Sequence, residues 1–297
     1  MELPQAVRSM DRMRELMAHE CIDEEPEHLM LTGQPGTGKT TLLQKLLASF
    51  PPIHHPEFTE IPVLYVEIPA RTTIKALAGL MLQSLGSDYW NRGDETERTY
   101  QLVTLIRACR CKLIILDEVN HLVDRGGLKT HYHVGDWIKQ LGTATRKSIV
   151  LSGTLQSKQL LSTNYQLGSR FGEVHTLSAL SLVGDRQGEF LGVLRVLEAL
   201  LAPMPSIELP HPKTATMIAF ATNGRLRSIR QLLVRAVEVA GRQPKQKLML
   251  DALEAAFLEV IFPKAPDQRN PFSAKFDQRP LTRAGEPFQP EEMAHAK

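Results

Sequence analysis

An α/β fold with a central, mostly parallel sheet, followed by a smaller helical domain, is what the sequence predicts. Three observations carry this. Apolar runs of strand length alternate with segments of helical period as far as Leu177. A glycine loop, Gly33-Gln34-Pro35-Gly36-Thr37-Gly38-Lys39-Thr40, stands between a predicted strand and a predicted helix. From Leu180 to Phe262 only helical periodicity continues.

The elements follow in order. Val7, Met10, Met13, Leu16 and Met17 recur at helical spacing within Pro4 to His19 and predict an amphipathic helix with no identified partner surface. Acidic Asp23-Glu24-Glu25-Pro26-Glu27 breaks that pattern, and the apolar run His28 to Thr32 leads as a strand into the glycine loop. A helix over Thr41 to Phe50 follows, then a loop rich in Pro and His, then the strand Pro62 to Ile68. Thr72 to Leu85 has helical spacing and ends at Gly86. Asp94 with Glu97 has the form of a capping box opening a helix to Ala108. Leu113 to Leu116 and Ser148 to Leu151 are strands, with a helix around Asp136 to Leu141 between them, and Val174 to Leu177 is the last strand-like run. Domain boundaries are expected at 1–26 for an N-terminal helical segment, 27–178 for the α/β core and 179–262 for the helical part. Pro263, Pro266, Pro271, Pro280, Pro287 and Pro290 mark 263–297 as a proline-rich tail, extended or disordered.

The 297 residues, 42% hydrophobic, suffice for about two domains with a sizeable core. Lys plus Arg number 35 and Asp plus Glu 33, a net charge of +2, so any nucleic-acid surface must be local. No apolar run approaches membrane-spanning length and residues 1–20 lack a secretory core, which predicts a cytoplasmic protein. Cys21, Cys109 and Cys111 read as reduced, largely buried thiols. His54-His55 and His131-x-His133 lack further ligands at metal-site spacing and read as loop residues.

In the loop Gly33 to Thr40, glycines let backbone N–H groups curl around phosphates. Lys39 reaches the outer phosphates, the Thr40 hydroxyl can ligate Mg²⁺, and Thr41 adds to the cradle. ATP and Mg²⁺ are the expected cofactors. Asp117 emerges from an apolar strand where a carboxylate could hold the metal's water shell together with Thr40, and Glu118 is the candidate base for water, pointing to hydrolysis. Ser152, with Thr154 as second choice, is placed at a strand end to sense the γ-phosphate; an ordinary turn is the bland alternative. Arg170 has the place of an arginine supplied to a neighbour's nucleotide, against a lone surface arginine. Arg227 opens a helix, where the dipole disfavours a cation, and so calls for a partner such as phosphate. Thr222 to Lys247 carries a basic excess that reads as a solvated face or a nucleic-acid patch.

Walker A, Walker B, sensor 1, arginine finger and a Gly-x-x-Arg sensor 2, in that order and followed by a helical lid, resemble an AAA+ ATPase over Glu27 to Phe262. The paired helices between the second strand and Walker B are similar to the insert of the initiator clade. The Ser-Gly-Thr and Ser-Arg-Phe boxes look most like transposition ATPases of the TnsC/TniB type. That resemblance implies ATP-dependent assembly with itself, as a ring or helical filament, on duplex DNA without strong sequence preference. It also implies recruitment of a transposase and a target-selection factor, with hydrolysis resetting the assembly. It makes Lys75, Thr104, Arg107 and Lys129 the candidate phosphate contacts, and the aromatic residues of the tail a docking segment. A regulatory or secretion-associated AAA+ ATPase and a P-loop phosphotransferase are the alternative readings.

Overall fold

The computed structural model describes residues 3–19, 25–123, 128–201, 204–243 and 246–290. The chain divides into two compact units, one comprising Glu2–Gln34 and Gly38–Leu177, the other Pro35–Thr37 and Ser178–Lys297. Cys21, Asp23, Glu24, Lys245 and the side chain of Lys129 lie outside what is described.

In the first unit the elements are α1 (Pro4–Ala18), β1 (Leu29–Gly33), α2 (Lys39–Ser49), β2 (Ile53–His54), β3 (Thr59–Glu60), β4 (Val63–Glu67), α3 (Ile74–Ser84) and α4 (Glu95–Ala108). They continue through β5 (Leu113–Asp117), α5 (Asn120–Val123), α6 (Leu128–Thr145), β6 (Ser148–Gly153), α7 (Lys158–Thr163), α8 (Tyr165–Gly168) and β7 (Glu173–Leu177). The sheet order is β4-β5-β6-β1-β7, all pairs parallel. β2 and β3 form a small antiparallel hairpin inside the segment predicted as a loop.

Strand alternation divides the core into two layers. Leu29, Leu31, Leu113, Ile115 and Val150 pack under α1 and α2, whereas Met30, Ile114, Leu116, Ile149 and Leu151 face α3, α4 and α6. Met10, Met13, Leu16 and Met17 thus find their partner in the sheet itself, and α1 is part of the α/β unit rather than a separate segment ending at residue 26. The capping box is present in both directions: Glu97 N–H donates to Asp94 Oδ1 at 2.9 Å and Asp94 N–H to Glu97 Oε2 at 2.8 Å. α6 begins at Leu128, eight residues before the predicted Asp136, so His131 and His133 are helical rather than loop residues. The early turns of α6 escape a periodicity reading because their polar and aromatic residues leave no apolar stripe. Cys111 is buried, and burial raises its thiol pKa to about 11.

The second unit contains α9 (Gln187–Leu200), α10 (Pro212–Thr222), α11 (Leu226–Gly241) and α12 (Leu250–Ala256) around Phe190, Leu194, Ile218, Ile229, Leu232 and Phe257. Between α10 and α11, Gly224 has φ +65°, and a Cβ there would lie 1.9 Å from the Leu180 carbonyl oxygen, so only glycine fits this turn. Within this same unit the Arg227 N–H donates to the Gly36 carbonyl at 3.1 Å. Arg235 pairs with Glu238 and Glu259, which partly neutralises the basic run predicted here.

The tail corrects an expectation. Over 263–290 it is packed, not disordered: Leu281 and Phe288 are buried, Phe276 meets Phe220 edge-on at 5.1 Å, and Phe272 meets Phe257 at 6.1 Å. Arg269, 7% exposed, is held by Asp277, by Glu286 Oε1 at 2.8 Å and by the Pro280 carbonyl at 2.9 Å. Burial works against ionisation of Glu286, yet Arg279, the Arg283 N–H and Arg269 together lower its pKa to about 2. Composition suggested disorder because prolines are frequent; four aromatic and aliphatic anchors and an internal ion network offset that cost.

Candidate nucleotide site

The phosphate loop leaves β1 at its carboxyl end and enters α2 through Gly38, which has φ +100°; Gly36 at its tip has φ +82°. Both values belong to the left-handed region that glycine adopts without a Cβ penalty. Lys39 is 5% exposed and its Nζ donates to the Gly33 carbonyl at 2.9 Å and the Gln34 carbonyl at 3.4 Å. Those carbonyls hold the ammonium at the mouth of the loop, where phosphate oxygens would be stronger acceptors.

Asp117 ends β5 fully buried. Its Oδ2 accepts from Thr40 Oγ1 at 2.8 Å and from Tyr65 Oη at 3.2 Å, and its Oδ1 accepts from the Glu118 N–H at 3.0 Å. A buried carboxylate beside a helix-start hydroxyl fits the oxygen ligand set of Mg²⁺. Tyr65 was not foreseen. It lies on the α2 side of β4 in register with Ile115, two residues before Asp117 on β5. Burial first, and the Asp117 carboxylate second, push its pKa well up, so it stays a proton donor. A tyrosine in the strand next to the Walker B strand, at the parity of its aspartate, is the signal that could have found it.

Glu118 has φ +57°, a left-handed conformation that costs a non-glycine residue about 1–2 kcal/mol. The turn is held by His121 N–H donating to the Glu118 carbonyl and Val119 N–H donating to the Ser152 carbonyl at 2.9 Å. The strain sits at the residue predicted to activate water.

Parity distinguishes the two sensor candidates. Val150 faces the α1/α2 layer, so Ser152, two residues on, faces it too, opposite Leu31 of β1. Ser152 Oγ is fully buried and has no hydrogen-bond partner among the described residues. A buried hydroxyl without a partner is costly, and here it lies on the face that carries Asp117 and the phosphate loop. Thr154 lies beyond the strand with its N–H on Asn120 Oδ1 at 3.4 Å, a buried asparagine that sequence reasoning did not single out. Ser152 is the better candidate.

Other predicted residues lie apart. Arg170 sits at the amino end of β1, where its carbonyl accepts from the His28 N–H. About 16 Å of strand separates it from Gly33. Its guanidinium pairs with Glu25 at 2.5 Å and donates to Thr143 Oγ1 at 2.6 Å. Lys75 is exposed in the first turn of α3, whereas Thr104 and Arg107 lie far along α4, Arg107 donating to the Ala144 carbonyl. Arg98, near the start of α4, reaches the Lys75 carbonyl, and Arg107 is nine residues, about 13 Å of helix, further along. Among the described residues the proposed phosphate contacts therefore form no single cluster. Arg227 is exposed in the first turn of α11.

Under Arg170 lies His28, 1% exposed, its ring tilted against Phe171 at 5.1 Å, with Nδ1 accepting from the Ile149 N–H at 3.2 Å. Burial, with a smaller push from Arg170, lowers its pKa to about 4. The unfolded chain binds this proton near pH 6.5 and the folded chain near 4, so stability should fall as pH drops through that window, by about 3 kcal/mol in all. Urea titrations from pH 7 to 4 check this. His28→Asn, which keeps an acceptor near the Ile149 N–H, should flatten that part of the slope.

Comparison with known proteins decides the family. The family model described as "Bacterial TniB protein" matches residues 1–179, the extent of the α/β unit. The chain belongs to the TniB family. This TniB-family chain is 22% identical over 262 residues to ORC1-type DNA replication protein 1 of Sulfurisphaera tokodaii, covering 87% of the chain and 63% of that protein. It is similar in fold to the Aeropyrum pernix ORC1 protein solved in complex with DNA, with TM-score 0.60 and 20% identity, covering 87% of this chain and 66% of that one. Cdc6p from Pyrobaculum aerophilum gives TM-score 0.64 and 21% identity, covering 90% and 70%. The TniB-family chain thus has the AAA+ P-loop ATPase fold, and it spans somewhat under two thirds of its curated relative. Among the described residues no helix is long and apolar enough to cross a membrane.

Proposed function

We propose that this protein is an ATP-dependent, DNA-binding, oligomeric regulator of transposition, which marks target DNA and recruits or activates a transposase, with hydrolysis controlling assembly and disassembly. The observation that carries the ATP-dependent part is the buried Asp117–Thr40 pair at the foot of the phosphate loop, flanked by strained Glu118 and the Ser152 hydroxyl, which has no partner among the described residues. Membership of the TniB family favours transposition over the secretion and phosphotransferase readings, and a relative of this fold solved with DNA supports duplex DNA as a partner.

In this reading the loop N–H groups and Lys39 bind the phosphates, and Thr40 and Asp117 are the residues that would hold magnesium. Bound magnesium would neutralise charge developing between the outer phosphates. Glu118 accepts a proton as water attacks the γ-phosphorus and the bond to the β-phosphate oxygen breaks. Ser152 orients the γ-phosphate or the water, Arg227 senses phosphate, and Arg170 acts on the nucleotide of the next subunit. Lys75, Thr104, Arg107 and Lys129 contact DNA as separate points along the assembly. Exposed parts of the tail dock the transposase or target-selection factor.

The direct test is assembly: with ATP and Mg²⁺ at low salt the protein should form oligomers on duplex DNA. A folded, ATP-binding protein that fails to do so refutes the reading. Lys39→Ala removes charge-assisted bonds to phosphate worth about 1.5–3 kcal/mol. It should weaken ATP binding roughly 10- to 150-fold, measured by titration calorimetry, and abolish nucleotide-dependent assembly.

A further inference from the structure

The amino ends of β5 and β6, opposite the nucleotide loop, gather cations. Parallel register pairs Leu113 with Ser148, so Lys112 and Lys147, each one residue earlier, precede adjacent strands whose backbones run about 4.8 Å apart. With His19 at the end of α1, Arg146 and Ser148, they line a pocket of about 140 Å³. Lys112 is exposed and Lys147 half-buried, and neither has an ion-pair partner among the described residues.

The surroundings add charge of the same sign. Arg107-Ala108-Cys109-Arg110-Cys111-Lys112 and Arg146-Lys147-Ser148 hold five cations and no acid, in a chain whose net charge is only +2. α4 and α6 both end on an arginine in the left-handed region, Arg110 at φ +51° and Arg146 at φ +54°, where glycine is the usual residue. Arg110 is set over the Phe58 ring at 4.6 Å, and Arg107 ties the end of α4 to the Ala144 carbonyl of α6. Complementing the negative ends of the two helices accounts for Arg107 in the last turn of α4 and Arg146 just past the end of α6. It does not account for the two lysines that precede the adjacent strands.

We propose that this pocket binds phosphates of the duplex DNA backbone, a contact surface separate from the nucleotide site at the other end of the same strands. The inference rests on the DNA-binding reading above and adds residues to it. Phosphate suits the site better than an acidic peptide does. The cations follow one another along an edge made by the end of α4, the start of β5 and the end of α6. The apolar lining is limited to Ala18 and Met17, the latter 7% exposed, which gives a peptide no anchor.

The test is a salt series of duplex affinity, with ATP present, for the full-length protein and for Lys112→Gln/Lys147→Gln. Removing one lysine–phosphate pairing should make the slope of log K against log salt shallower by about 0.9, so about 1.8 for the double variant, equally on unrelated sequences. Lys112→Arg/Lys147→Arg should keep the parental slope, and Lys147→Gln alone should show about half the shift, which serves if the double variant folds poorly. Unchanged affinity and slope overturn the proposal while leaving the assembly reading intact. If the parent itself binds no duplex, both fall. Stabilisation of the parent but not the variant by inorganic phosphate, with equal DNA binding, would make this a free-phosphate site and overturn the DNA assignment. Failure to recruit the transposase with unchanged DNA binding would assign the pocket to an acidic protein segment and equally overturn it.

Discussion

Arg170→Ala is expected to lower ATP turnover by the assembled protein about 10³- to 10⁵-fold, the range measured where an arginine is supplied to a phosphoryl-transfer transition state. ATP affinity of the isolated chain should not change. The reason is positional: Arg170 sits at the amino end of β1, about 16 Å of strand from Gly33, and cannot serve its own phosphate loop. In the free chain the guanidinium is occupied by Glu25, 65% exposed, and by Thr143. Glu25 faces solvent while the Arg170 side chain is 12% exposed, so reaching a neighbour's γ-phosphate means giving up this ion pair and the bond to Thr143. Steady-state turnover at assembling and non-assembling concentrations, with a thermal melt alongside, separates the two accounts. If Arg170 merely pins residue 25 to α6, the melt shifts slightly and turnover per assembled subunit is unchanged. Loss of ATP binding by the monomer would also count against the assignment.

Glu118→Gln should slow hydrolysis about 10²- to 10⁴-fold, the usual contribution of a positioned general base. It should leave ATP bound and therefore prolong the assembly on DNA. The substitution preserves size and the left-handed backbone at φ +57°, so the Walker B turn and the Asp117 bonds to Thr40 and Tyr65 should persist. Single-turnover hydrolysis together with dissociation of the DNA-bound oligomer measures both halves of the expectation. Contrast with Lys39→Ala is the informative part: one variant traps assembly, the other prevents it. Equal phenotypes would mean that the proton-accepting and phosphate-binding roles have been misassigned.

The amino-acid order alone was enough to place the glycine loop between a strand and a helix, Asp117 at a strand end with Glu118 after it, the capping box at Asp94 and the succession of strands and helices, because each depends on neighbours in sequence. Glycine at a tight loop, a carboxylate at the end of an apolar strand and an acidic residue three positions after an N-cap act over one turn or one strand. Local pattern also says which face of a strand is apolar, but not what covers it. Only the parallel register, which joins residues tens of positions apart, set Tyr65 on Asp117, turned Ser152 rather than Thr154 toward the loop face, and brought Lys112 and Lys147 to the starts of adjacent strands. Packing likewise placed α1 on the sheet and folded 263–290 against the helical unit, where buried Leu281 and Phe288 and the Arg269–Glu286 pair outweigh a proline-rich composition. Those outcomes turn on burial and charge pairing between distant segments, quantities that exist only once the chain is folded.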